Sequence, residues 1–291
     1  MEKRYLIAMV LVGFYLIFAL VSVFYLMSFD GGVGEVNSIN KGKNGMVVNI
    51  WIHENDFERL RDNKIKYLFV DVGNTGSNGR LLTSDEDIRG FLGEIEKFEN
   101  NSNYDFVLFP YSEVNTHDYD FNEEFQNNFI EDYLGLVLMG FDGIYVDVEP
   151  IRDESDYLDF LDRVREEFSF VGVYSGSVGN HLDNEWEWDL DFFETVCERV
   201  DLIFVPGYDS GLKHKGEYID YIEMEVRELS LLGLNCDLML GVPTHRSDVE
   251  NLENALRGYS SVEGNRFIGV AIFAEWTTSN KEWGVFEDFG G

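Results

Sequence analysis

The chain has 291 residues, 45% hydrophobic and 15% aromatic, with 55 acidic against 22 basic side chains and a formal net charge of −33. That balance speaks against nucleic acid as a partner, because binding the phosphate backbone relies on Lys and Arg, and against docking on anionic lipid headgroups. Two cysteines, Cys197 and Cys236, do not make a disulfide framework, though they can pair outside the cell. No Cys or His cluster has zinc spacing, so neither a metal nor a cofactor is expected.

Residues 5–27 form an uncharged run of 23. At about 1.5 Å per residue such a run spans a bilayer core of about 30 Å. Lys3 and Arg4 precede it, and Asp30 and Glu35 follow. This asymmetry places the N-terminus in the cytoplasm and the remainder outside. A cleavable signal peptide would have a shorter apolar region and an Ala-x-Ala-like site, which is not evident here. The expected organisation is a membrane anchor over 1–27, a Gly/Asn/Ser-rich tether over 28–44 and one domain over 45–291. The membrane is thus met through the N-terminal helix alone, and the domain is extracytoplasmic. The oligomeric state is not legible in the sequence.

After the tether, short apolar strands alternate with acidic amphipathic helices. Strands are expected at 46–52, 67–72 and 106–111, within 140–150 and ending after Glu149, and at 170–174, 202–205, 237–242 and 267–273. Helices are expected near 56–63 and over 84–98, 122–139, 155–168, 189–200, 217–232 and 248–257. Ser84 is placed as the cap of the second helix, with Asp87 completing an approximate capping box. Eight strands joined by helices imply a parallel sheet, and eight is the number that closes a (β/α)8 barrel of about 250 residues.

The stretch with the most chemistry is Asp142-Gly143-Ile144-Tyr145-Val146-Asp147-Val148-Glu149. Ile144, Val146 and Val148 alternate with Tyr145, Asp147 and Glu149, so the last three share one strand face. Two carboxylates on the inner face of an apolar strand are costly to bury without a partner or a task. Glu149 ends the strand, at the edge where barrel enzymes keep their active sites. The other strand ends also carry polar or aromatic residues. These are Trp51 and His53, Asp71 and Asn74, Tyr111 and Glu113, Tyr174 and Ser175, Tyr208 and Asp209, Thr244, His245 and Arg246, and Glu275 and Trp276.

The Asp142–Glu149 run resembles the Asp-Gly-x-Asp-x-Asp-x-Glu signature of family 18 glycoside hydrolases, the chitinase-like enzymes. Tyr145 stands where that family has its middle Asp. Two further runs are similar to the same family: Pro206-Gly207-Tyr208-Asp209 after the sixth strand, and Gly241-Val242-Pro243-Thr244-His245-Arg246 after the seventh. The family's Ser-x-Gly-Gly on the third strand is absent, with Phe109-Pro110-Tyr111-Ser112 in its place. Phe273 stands where the eighth strand usually carries Trp, with Trp276 three residues on.

The resemblance implies a divergent glycosidase acting on β-linked, N-acetylated glycans. Glu149 would be the general acid, with its pKa raised by burial and by Asp147. Asp147 would hold the substrate's 2-acetamido group while that group attacks the anomeric carbon. Tyr208 would donate a hydrogen bond to the acetamido oxygen. Asp209 and Arg246 would fix neighbouring hydroxyls or each other, and Trp276 or Phe273 would floor the sugar site. Asp142, Tyr145, Trp51, Tyr111, Tyr174 and Glu275 complete the expected substrate-binding set. Two alternatives stay open: a two-carboxylate glycosidase using Glu149 and Glu275, whose separation would decide retention or inversion, and a barrel that binds glycan without cleaving it.

Overall fold

A computed structural model describes residues 43–179, 186–244 and 248–290. The elements run β1 (Asn44–Asn49), α1 (Glu54–Asp62), β2 (Ile65–Asp71), α2 (Asp85–Ser102), β3 (Val107–Tyr111), β4 (Glu113–Asn115), α3 (Glu123–Met139) and β5 (Ile144–Glu149). They continue as α4 (Glu154–Glu167), β6 (Val171–Tyr174), β7 (Ser177–Val178), β8 (Glu187–Trp188), α5 (Leu190–Cys197), β9 (Leu202–Pro206) and α6 (Lys215–Leu231). The last are β10 (Asp237–Pro243), α7 (Leu252–Ser260), β11 (Gly269–Phe273), a 3-10 turn (Glu275–Thr277) and α8 (Asn280–Gly290). The expected anchor and tether lie outside the described residues. Among the described residues no helix is long and apolar enough to cross a membrane.

Short polar residues start the helices. Ser84 accepts from the Asp87 N–H at 3.2 Å, and Asn122, Asp153, Asp189 and Asn251 cap their own helices in the same way. Each satisfies a backbone donor that the first helical turn leaves open.

The main sheet has the order β3-β2-β1-β11-β10-β9-β6-β5-β4, with every neighbouring pair parallel. β3 and β4 are two halves of one strand position, broken at Ser112. The first half pairs with β2 and the second with β5, so the ring closes with eight positions, as a (β/α)8 barrel requires. The break is held by hydroxyls. Tyr133 donates to Ser112 Oγ at 3.1 Å, and Thr75 Oγ1 is hydrogen-bonded to the same oxygen.

The alternation expected on β5 is observed. Ile144, Val146 and Val148 join the large core between barrel and helices, whereas Tyr145 joins a second cluster inside the barrel with Phe69, Phe109, Phe204 and Met239. Glycines on neighbouring strands make room for these rings. A Cβ on Gly241 would meet the Phe204 ring at 2.2 Å, and one on Gly172 would meet the Tyr145 ring at 3.3 Å. Large residues facing small ones fill the barrel as a solid core.

Most element boundaries differ from expectation by one or two residues. Among the larger exceptions, the first strand occupies Asn44–Asn49 where 46–52 was expected, and α2 runs to Ser102, four residues beyond its expected end. α7 starts at Leu252, four residues late, because Asn251 and not an earlier residue caps it. The short β4, β7 and β8 and the terminal α8 were not anticipated. α8 buries Trp283 and Phe286. Cys197 and Cys236 form a disulfide with Cα atoms 5.3 Å apart, tying the end of α5 to the segment before β10.

Candidate active site

The C-terminal ends of the strands open into a cavity of about 650 Å³. Asp147 and Glu149 lie on its floor, delivered there by the inward face of β5. Asp147 is 7% exposed and Glu149 is half-buried. Their side chains are hydrogen-bonded to each other, which requires one shared proton. Glu149 holds its proton well above the ordinary carboxylate range, first because burial disfavours the charge, then because Asp147, Glu113 and Asp209 lie close. Asp147 is also raised, chiefly by burial. Its hydrogen bond with Glu149 opposes that rise, while Glu113 and Asp71 add to it. The proton therefore rests on Glu149, and Asp147 is the acceptor. Asp147 Oδ1 is buried without a hydrogen-bond partner among the described residues.

The walls come from the neighbouring strands. Tyr111 ends β3, and the β4 register sets Glu113 directly beside Asp147. From β2, Asp71 accepts the Gly73 N–H at 2.8 Å. Tyr174 and Tyr208 are joined through their hydroxyls, and burial pushes both phenols up. Tyr208 stacks on Phe273 with ring centroids 5.0 Å apart, and Trp276, 47% exposed, meets Phe273 edge-on at 6.2 Å. Gly207 permits the close approach that places Tyr208. Its N–H donates to the Gly241 carbonyl at 2.8 Å, and a Cβ there would lie 2.6 Å from that oxygen. Asp209 adopts φ 60°, its N–H donating to Glu250 Oε2 at 3.2 Å while the Ser210 hydroxyl donates to Oε1 at 2.5 Å.

Asp147, Glu149, Tyr208, Tyr111, Tyr174, Asp209 and Trp276 thus meet in one cavity, as their strand-end positions predicted. Four expected members do not line it. Asp142 stands at the opposite end of β5, where its Oδ2 accepts the Leu108 N–H at 2.7 Å and ties β5 to β3. Tyr145 is 3% exposed below the acids, its ring 4.8 Å from Phe69 and 5.4 Å from Tyr111. The position is a packing position because the rings around it leave no aqueous route. Trp51 is 62% exposed, outside the cavity on the turn after β1. Glu275 lies beside Asp56, Arg59 and His53 of the β1–α1 region and is not among the lining residues of the cavity. Arg246 and His245 lie outside the described residues.

Asp71 and Glu113 were read as strand-end residues without a role, and both line the cavity. Glu225 and Glu250 were missed. Glu225 is fully buried on α6. Its Oε1 accepts from the Tyr221 hydroxyl at 2.6 Å and the Val178 N–H at 3.1 Å, holding β7 beneath the Ser175–Ser177 wall. The available signal was its place in the apolar row Tyr218-Tyr221-Ile222-Glu225-Val226, where a solvated acid would not fall. A second cavity, about 490 Å³, lies between the loops after β4 and β5. His117 on its rim meets Trp186 of the first cavity, with ring centroids 6.2 Å apart.

No family model matches the chain, and no curated protein matches it in sequence. In structure it is similar to the spore cortex-lytic enzyme SleL of Bacillus megaterium, with a TM-score of 0.58 and 11% identity over 84% of this chain and 74% of that one. It is similar to a chitinase from Chromobacterium violaceum, with a TM-score of 0.57 and 11% identity over 84% and 98% of the two chains. It also resembles XAIP-II, a xylanase and alpha-amylase inhibitor protein from Scadoxus multiflorus, with a TM-score of 0.57 and 12% identity over 85% and 96%. At such identities the likeness is one of fold: this chain is a chitinase-like (β/α)8 barrel, divergent in sequence.

Proposed function

We propose that the protein is a membrane-anchored, extracytoplasmic glycoside hydrolase that cleaves β-linked, N-acetylated glycans. The observation that carries this reading is the proton-sharing Asp147–Glu149 pair on the floor of a cavity walled by Tyr and Trp. Glu149 keeps a proton at neutral pH and can give it to the glycosidic oxygen as the bond to the anomeric carbon breaks. The substrate's acetamido oxygen attacks that carbon and forms a cyclic intermediate. Asp147 Oδ1, buried without a partner, is suited to accept the acetamido N–H and orient the group. Tyr208 donates to the acetamido oxygen. Water then opens the ring, its proton returning to Glu149.

The disulfide between Cys197 and Cys236 fits an oxidising compartment and so supports the extracytoplasmic placement. Protease added to intact cells should digest the domain and spare the N-terminus, whereas full-length protein recovered in the soluble cytosol would refute the anchor. The two-carboxylate alternative loses its support, since Glu275 does not line the cavity. A non-catalytic glycan-binding barrel is the second reading, favoured by the likeness to an inhibitor protein of the same fold.

The test is turnover of β-1,4-linked N-acetylglucosamine oligomers and peptidoglycan fragments by the purified chain. Activity that falls by a factor of about 100 to 10,000 in Glu149→Gln, with glycan binding retained, supports the hydrolase. Binding without cleavage across the panel by the unsubstituted chain establishes the binding barrel instead.

A further inference from the structure

The cavity is more acidic than the proposed reaction requires. Asp71, Glu113 and Asp209 join Asp147 and Glu149 in its lining, and none of its other described lining residues is basic. A neutral glycan can donate its hydroxyls to the outer carboxylates but leaves their charge in place, whereas a cationic unit also offsets it. Among the described lining residues their mutual repulsion has no basic partner, and a bound cation or a proton relieves it.

Two of these acids have a defined place beside the pair. Glu113 is in register with Asp147 on the adjacent strand, and Asp71 is in register with Tyr111 on the next one. Glu113 therefore stands one strand away from Asp147, about 4.8 Å across the sheet, and Asp71 one strand further and two residues lower in register. Along these two strand ends a neighbouring unit of a bound glycan chain would lie. The Glu113 carboxylate makes no hydrogen bond or ion pair among the described residues, and burial raises Asp71 against the Gly73 N–H that steadies it. The unpartnered Asp147 Oδ1 points independently to a ligand that donates N–H groups. The net charge of −33 deepens the negative potential that a concave site focuses.

We propose that the glycan taken by this site carries free amino groups next to its N-acetylated unit, and that Asp71 and Glu113 bind them as ammonium ions. This rests on the hydrolase reading and narrows its substrate to a partially N-deacetylated chain. Asp71 and Glu113 act as specificity determinants, while Asp147 and Glu149 do the chemistry.

The experiment is calorimetric titration of the full-length Glu149→Gln chain with two β-1,4-linked glucosamine oligomers of equal length, one fully N-acetylated and one partially deacetylated. In low salt the partially deacetylated oligomer should bind about tenfold more tightly, the sum of two modest ion pairs. At about 1 M salt, where the screening length is about 3 Å, the preference should largely vanish. Asp71→Asn and Glu113→Gln should each reduce the low-salt ratio by about threefold. The ratio of kcat/KM values for the same oligomers with the unsubstituted chain provides the same test should the Glu149 variant not fold. Equal affinity for the two oligomers overturns this proposal and leaves the hydrolase reading standing. Binding of neither overturns both. A preference that persists in the Asp71 and Glu113 variants overturns their assignment.

Discussion

Asp147→Asn should move the alkaline limit of activity to lower pH. Glu149 is raised by burial first, then by the Asp147 charge and the hydrogen bond to Asp147, and then by the charges of Glu113 and Asp209. Asparagine removes the charge and leaves the burial. Two charges about 4 Å apart at an effective dielectric constant near 20 interact by about 4 kcal/mol. At about 1.4 kcal/mol per pH unit, the alkaline limb should fall by up to about three units. Burial keeps Glu149 above the ordinary value of about 4.3. The assay is kcat/KM against pH on a soluble β-linked N-acetylglucosamine oligomer for both proteins. The plateau should drop as well, because an amide in place of this carboxylate orients the acetamido group less well, but height and limb position are read separately. An alkaline limb at the same pH in the two proteins would refute the electrostatic coupling and the general-acid assignment with it.

Glu225→Gln tests the buried acid under the cavity wall. Burial pushes Glu225 up to about 8, so its folded form binds more protons than its unfolded form. Its contribution to stability is fully present below about pH 4 and is lost as pH rises through 8, a loss of about 3 kcal/mol between pH 6 and 9. Thermal melts of the Gln variant should lack the corresponding decline of roughly 6–12 °C, and parallel declines would exclude this role. Tyr145→Asp, which places the middle acid of the chitinase-like signature, should destabilise the barrel by about 3–5 kcal/mol by opening a void and burying an unpaired carboxylate, whereas Tyr145→Phe should cost under about 1.5 kcal/mol. Denaturant midpoints measure both, and a Tyr145→Asp midpoint equal to that of the unsubstituted chain would contradict the packing role. The Cys197–Cys236 bridge spans 39 residues. Its reduction should lower stability by about 4 kcal/mol, visible as a lower melting temperature in reductant that Cys197→Ser reproduces without reductant.

The Asp147–Glu149 pair was legible because period-two alternation is local. Once residues 144–149 are read as a strand, Tyr145, Asp147 and Glu149 must share a face, and the apolar residues between them must face the helices. The strand count was legible for the same reason, and the cap of the second helix followed from a single residue, Ser84. The depth of each residue along the barrel axis was less accessible. Tyr145 and Asp147 are two residues apart on one face, yet one is sealed by Phe69, Tyr111 and Phe204 and the other opens on the cavity. That distinction depends on rings supplied by three other strands.

The sequence by itself determined the alternation of strands and helices, the eight strand positions, the acids at the end of β5 and the polar character of the other strand ends. Each of these follows from residues within a few positions of one another. Only the tertiary structure decided which acids meet. Glu113 reaches Asp147 through the register of β4 with β5, and Glu275, in the 3-10 turn that follows the last barrel strand, lies beside Asp56 and Arg59. Asp142 belongs to the motif but closes the far end of the barrel through Leu108. The break at Ser112, which lets one strand position pair with β2 in its first half and β5 in its second, likewise depends on Thr75 and Tyr133 from distant segments. The physical reason is that side-chain direction is set by the local backbone, whereas proximity and burial are set by the closure of the sheet, which brings together residues that no local pattern relates.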